Sequence, residues 1–349
     1  MSSRVFGSLS TGEPVEAHLL ANPSGASVEI LTYGGIIRSL KVPDRNGQIK
    51  DVVLGFNDFG PYLAGHPFFG AITGRIAGRV SDGKLRVGDR EYDLLRNDGR
   101  NHLHGGRTGL DKRLWKAAAV SGPDGADSVR LTYHSPDGEE GYPGTVDISV
   151  TYTLTSGNAL IIDSEALSDQ VTPLCLTNHS YFNLAGESAG SIADHELQIL
   201  AGAFIPTSDD MTLSGQAAPV VDGVNDFRKP RNLGAALPRL FKSHGDVYLL
   251  RTPFDVRPKE PTLAARVVDR GSGRVLEVLT DESCLQFYTA LSLDGSNIGK
   301  SGRPYLPHAG LCLECQGYAN GADNPVFGDI LVRPGEPQRR RTIYAFSTC

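Results

Sequence analysis

No run in this 349-residue chain is long and apolar enough to cross a bilayer. The N-terminal stretch, MSSRVFGSLSTGEPVEAHLL, also lacks the basic start and apolar core of a secretory signal, so the expectation is cytoplasmic residence. Cysteines are few and odd in number: Cys175, Cys284, Cys312, Cys315 and Cys349. A chain of this size folds without disulfide staples, and free thiols are expected. A strong charge of either sign is missing too. With 34 basic and 40 acidic residues spread along the chain, the net charge of −6 gives no field to gather nucleic acid or anionic lipid. A small neutral partner fits better. No low-complexity stretch, fixed-period repeat or break in composition divides the chain, so residues 1–349 read as one continuous domain.

What is present is turn chemistry and short apolar runs. The 41 glycines and 21 prolines separate segments rich in Val, Ile, Leu, Thr and Tyr, the pattern of antiparallel β-structure. The clearest strand runs from Thr145 to Leu154, where Val146, Ile148, Val150, Tyr152 and Leu154 alternate with polar residues. Further strands are expected at 27–33, 36–42, 51–56, 128–134, 159–166, 171–177, 195–201, 246–251, 262–269, 273–280, 284–290, 310–316 and 340–347. Helical periodicity is confined to 57–65 and 231–241, where Gly60, Pro61, Gly234 and Pro238 keep any helix short. The fold class is therefore all-β, and so many strands imply a large antiparallel β-sandwich.

Three segments concentrate ionisable residues in apolar surroundings: NHLHGG at 101–106, TNHSYFNLAG at 177–186 and LCLECQGYANGADNPVF at 311–327. His179 follows the apolar stretch VTPLCL and precedes Tyr181 and Phe182, a setting that favours a neutral imidazole able to exchange protons near neutrality. Glu314 interrupts Leu311, Cys312 and Leu313, company that raises a carboxyl pKa and suits a base. Taken alone, a strand glutamate is more often a solvent-facing residue. Cys312 and Cys315 form a C-x-x-C, yet residues three apart on a strand point to opposite faces, so two unlinked thiols are expected rather than a metal or redox pair.

Taken in order, these segments resemble the aldose 1-epimerase (galactose mutarotase) family. The resemblance runs from GRIAGRV at 74–80 and NHLHGG through Asp111, Lys112 and Trp115 in LDKRLW to TNHSYFNLAG. It resumes at Asp246 in GDVYLL, at QFYTA in 286–290, and at LECQ followed by Asn324, Phe327 and PGE at 334–336. It implies a galactose-mutarotase-like sandwich with a cleft on one face, a monosaccharide substrate, and no metal or organic cofactor. It further implies Glu314 as general base and His179 as general acid, with Arg79, His104, Asp246 and Gln286 binding sugar hydroxyls. A sugar-binding protein, or an isomerase of another hemiacetal, is the alternative on the same fold. Trp115, the single tryptophan, is expected in the core rather than against a sugar.

The chain departs from the family pattern at Gly78, where an asparagine is usual, at Val247, where a histidine is usual, and at Ala319 and Asn320, where proline and aspartate are common. These positions bear on sugar preference. The pentapeptide GESAG at 186–190 satisfies a serine-hydrolase pattern around Ser188, but that motif needs a strand, a sharp turn and a helix in an α/β sheet. The sequon at Asn178 is read as accidental in a buried cytoplasmic segment.

Overall fold

The computed structural model of the chain describes residues 1–240, 246–251, 257–322 and 325–349. A nine-stranded antiparallel sheet dominates. Its order is Lys116–Ser121, Asp127–Ser135, Val146–Leu154, Ala159–Ser168, Gln338–Thr348, Arg274–Thr280, Thr262–Asp269, His195–Ile199 and Arg231–Asn232. The expected alternation is realised in Val146–Leu154, whose Val146, Ile148, Val150, Tyr152 and Leu154 are all buried. Each such side chain contributes roughly 1.5–3 kcal/mol relative to exposure.

Two five-stranded sheets complete the frame. One is an N-terminal meander from Ser2–Ser8 to Ile49–Asp51; the other has the order Ala218–Pro219, Ala203–Ile205, Asp246–Leu249, Cys284–Tyr288, Cys312–Gln316. A single apolar cluster joins all three, with Val28 and Leu40 from the meander, Val150, Leu276 and Tyr344 from the large sheet, and Leu285 and Leu313 from the third. The sheets are therefore packed face to face, as in a sandwich. Trp115 belongs to this core, its indole N–H donating to the Leu110 carbonyl at 3.2 Å.

Several expectations change at the edges. The segment expected as a strand at 51–56 ends as a regular strand at Asp51; beyond it Val53 bridges Phe182 and the Leu54 N–H donates to Tyr181 O. The strand expected at 171–177 is broken into Thr172–Pro173 and Thr177–Asn178, because its partner changes: the Leu174 N–H donates to Ile330 O and the Cys175 N–H to Arg75 O. Ser2–Ser8 and Pro14–Ala21 are strands that were not anticipated; the first is largely exposed and the second carries Glu, Ala and His, residues with weak strand signal. The helices are as short as expected, Gly60–Ala64 and Leu233–Ala236. The expected strand at 246–251 ends at Leu249.

Cys312 packs in a cluster with Tyr181 and Tyr288 while Cys315 faces the main core, so the two thiols do lie on opposite faces and are free. Ser188 sits exposed in a turn with no helix after it, which removes the hydrolase geometry.

Candidate active site

Strand pairing in the third sheet sets the polar residues in a row. Val247 stands opposite Gln286, and Gln286 opposite Glu314, so all three share the face away from Leu285 and Leu313. Glu314 is 1% exposed, and its Oε2 has no hydrogen-bond partner among the described residues. Burial pushes its carboxyl up to about 8, against the opposing pull of the Arg79 charge.

His179 reaches the same point from the short strand Thr177–Asn178, which pairs with Ile72–Thr73. Its backbone is laced to the neighbouring turn: the His179 N–H donates to Ala71 O at 2.8 Å and the Gly70 N–H donates to His179 O at 3.0 Å. Only glycine fits at position 70, since φ is +68° and a Cβ there would lie 2.2 Å from Ile37 O. The imidazole stacks against two rings, Tyr181 at 5.0 Å and Phe68 at 5.7 Å between centroids, both near parallel. Its Nε2 is 3.6 Å from Glu314 Oε1 and its Nδ1 is 3.6 Å from Cys312 Sγ. Burial pulls its pKa down to about 4, with its own carbonyl opposing.

His104 follows the strand His102–Leu103, which pairs with Arg79–Val80. The Gly78 N–H donates to its Nδ1 at 3.2 Å, which assigns the ring proton to Nε2. Burial holds this imidazole neutral, well below its ordinary pKa, and its ring meets His179 edge-on at 5.2 Å. Arg79 is anchored by Asp98, Nε to Oδ2 at 2.6 Å. A small cavity is lined by Arg79, His104, Gln286 and Gln316, and closed by Thr207, Met211 and Leu213.

His104, His179 and Glu314 offer ligand-capable atoms within 4.8 Å of one another, a spacing that could hold a cation. Coordination through Nε2 would require His104 to give up the Gly78 hydrogen bond, because Nδ1 would then carry the proton. The donor set as built suits proton exchange and hydrogen bonding to oxygen. A broader groove on the outer face of the large sheet is no rival: its Arg339 pairs with Glu165 at 2.6 Å and its Arg341 with Asp163 at 2.5 Å, leaving those charges satisfied.

Five of the six residues singled out in the sequence thus surround one point. Asp246 stands apart by register, opposite Phe287 rather than Gln286, and its carboxylate accepts a hydrogen bond from Asn225; burial lifts it to about 6. Asn324 lies outside the described residues. The sequence did not point to Asp98, Phe68 or the turn carrying Met211, which lie outside the three segments that set ionisable residues in apolar surroundings. Gly78 leaves no vacancy: a Cβ there would come within 3.3 Å of both Ala319 Cβ and Gln316 Nε2. The alanine at 319 and the glycine at 78 are therefore matched in space.

The aldose 1-epimerase family model matches residues 16–345. A galactose mutarotase from Sus scrofa is 42% identical over 98% of this chain and 97% of its own length, and one from Homo sapiens is 41% identical with the same coverage. An aldose 1-epimerase from Escherichia coli K12 is 30% identical over 96% of each chain. Among solved structures, an aldose epimerase homologue from C. elegans superposes with a TM-score of 0.86 at 28% identity, covering 95% of this chain and 99% of that one. A galactose 1-epimerase from Lactobacillus acidophilus superposes at 0.84 and 26% identity, covering 99% and 98%. With these relatives matched almost end to end, and the motifs of the sequence gathered at one buried point, the chain belongs to the aldose 1-epimerase family and its activity is that of a mutarotase.

Proposed function

We propose that Glu314 and His179 are the proton-transfer pair of this mutarotase, that Arg79, His104 and Gln286 bind the sugar while Asp246, on the other face of its strand, does not, and that the aldose is galactose or glucose. The observation that carries this reading is the 3.6 Å approach of His179 Nε2 to Glu314 Oε1 in a buried pocket. Near neutrality the pair holds one exchangeable proton, since Glu314 keeps its proton up to about 8 and His179 takes a second only near 4.

One proton on two groups is what a hemiacetal needs. In ring opening, ionised Glu314 removes the proton of the C1 hydroxyl while protonated His179 gives its proton to the ring oxygen. The C1 to ring-oxygen bond breaks and an open-chain aldehyde forms. Rotation about C1–C2 presents the other carbonyl face. In closure Glu314 returns a proton to the carbonyl oxygen as neutral His179 accepts one from the hydroxyl that attacks, so the proton count of the pair is unchanged. The neutral pair favoured by burial is the form ready for closure, and its ion-pair counterpart the form ready for opening. Acid and base help of about 10²–10⁴-fold each suffices for a reaction that already proceeds in water.

The Nε2–H of His104 and the guanidinium of Arg79 are donors to sugar oxygens, and the amide of Gln286 both donates and accepts. Polarimetry on freshly dissolved α-D-galactose and α-D-glucose tests the proposal. Both are expected to equilibrate faster with the protein than without it. If neither does, and arabinose and xylose also fail, the proposal is wrong.

A further inference from the structure

The His179 ring stacks against Phe68 and Tyr181 and turns Nε2 toward Glu314 at 3.6 Å, which leaves Nδ1 to be accounted for. Its neighbour there is the Cys312 sulfur at 3.6 Å, within reach of a sulfur hydrogen bond. That sulfur is fully buried, and burial together with the Glu314 charge keeps it a thiol, far above its ordinary range. Tyr181 interacts with the same sulfur, and with its hydroxyl as the donor the thiol's own hydrogen points at Nδ1. The His179 carbonyl is engaged by the Gly70 N–H at 3.0 Å.

We infer that Cys312 is a positioning residue: its S–H donates to His179 Nδ1 and keeps the proton of the neutral imidazole on Nε2, the nitrogen that faces Glu314 and the sugar. The inference rests on His179 being the proton donor to the ring oxygen. It gives the two site histidines one logic. The Gly78 N–H does for His104 what the Cys312 thiol does for His179, and both rings present Nε2–H toward the same point. When His179 becomes a cation, sulfur is a weak acceptor for its Nδ1–H and burial outweighs the help of its own carbonyl, so the cation gives its proton up readily. The titratable groups that face or act on His179 are Glu314, His104, His66, Tyr181 and Cys312 itself, and the hydrogen-bond partner at Nδ1 is Cys312.

The test uses the full chain with Cys312→Val, which fills the space without a donor, Cys312→Ala, and Cys312→Ser, whose hydroxyl can donate. Loss of one hydrogen bond predicts that kcat falls about tenfold in the Val and Ala variants, with KM within about twofold, while Ser recovers most of the loss. Nitrogen-15 spectra of the labelled histidines should show the His179 proton on Nε2 in the wild type and in Cys312→Ser, and shared between the nitrogens in Cys312→Val. Wild-type kcat in Cys312→Val or Cys312→Ala, or an unchanged tautomer in either, overturns the inference; should one of them not fold, the other decides. Glu314→Gln in the same assay separates the two levels: if it is inactive while Cys312→Val is normal, only the role of Cys312 falls.

Discussion

Raising the pH from about 7 to about 9 strips the proton that His179 and Glu314 share. Burial lifts Glu314 to about 8, so the pair keeps its proton in roughly nine molecules of ten at pH 7 and in roughly one of ten at pH 9. The expected fall in kcat/KM is therefore about ninefold, steepening toward tenfold per unit beyond. On the acid side His179 takes up a second proton only near 4, so activity should be flat between about 5 and 7 and decline below. These are values of the pair, since the two groups sit 3.6 Å apart and titrate together. Polarimetry of α-D-galactose, with the spontaneous rate subtracted at each pH, reads the profile. Stability carries the same sign at Glu314. Its folded pKa is raised from 4.5, so its favourable contribution is complete below 4.5 and is lost as the pH climbs through about 8, which predicts a lower melting temperature at pH 9 than at pH 6. A rate that is level from pH 6 to 10 would refute the shared-proton reasoning.

Thiol titration of the native protein should modify Cys349 alone and reach five thiols only on unfolding, because the other four are buried and none is bridged. Gly78→Ala should lower stability by about 1–3 kcal/mol, as φ of +83° is strained for alanine and its Cβ would crowd Ala319 and Gln316; denaturant melts check this. Ser188→Ala should leave mutarotation unchanged, and a fluorophosphonate should leave the wild type unlabelled, since Ser188 sits exposed in a turn without the strand and helix a nucleophile requires.

The fold class was legible because burial has period two in strands such as Val146–Leu154 and Asp127–Ser135, and that period shows directly in the residues. The N-terminal strand Ser2–Ser8 was not, since it lies exposed at an edge and has no apolar face to print a pattern. Of the site, Glu314 and His179 stood out as ionisable residues inside apolar runs, but their 3.6 Å approach depends on two strands distant in sequence. Asp98, the anchor of Arg79, and Phe68, packed on both histidines, gave no local signal, because their importance comes from partners brought by the fold. Gly78 looked from the sequence like a lost hydrogen-bonding group, and the structure instead sets it against Ala319 at close range.

The central claim is that Glu314 and His179 exchange protons with the sugar, and Glu314→Gln addresses it most directly. The amide keeps the shape of the side chain and cannot take a proton. With the fold confirmed by circular dichroism, the turnover of α-D-galactose should drop by about 10²–10⁴-fold. A variant that retains activity within about threefold of the wild type would contradict the account.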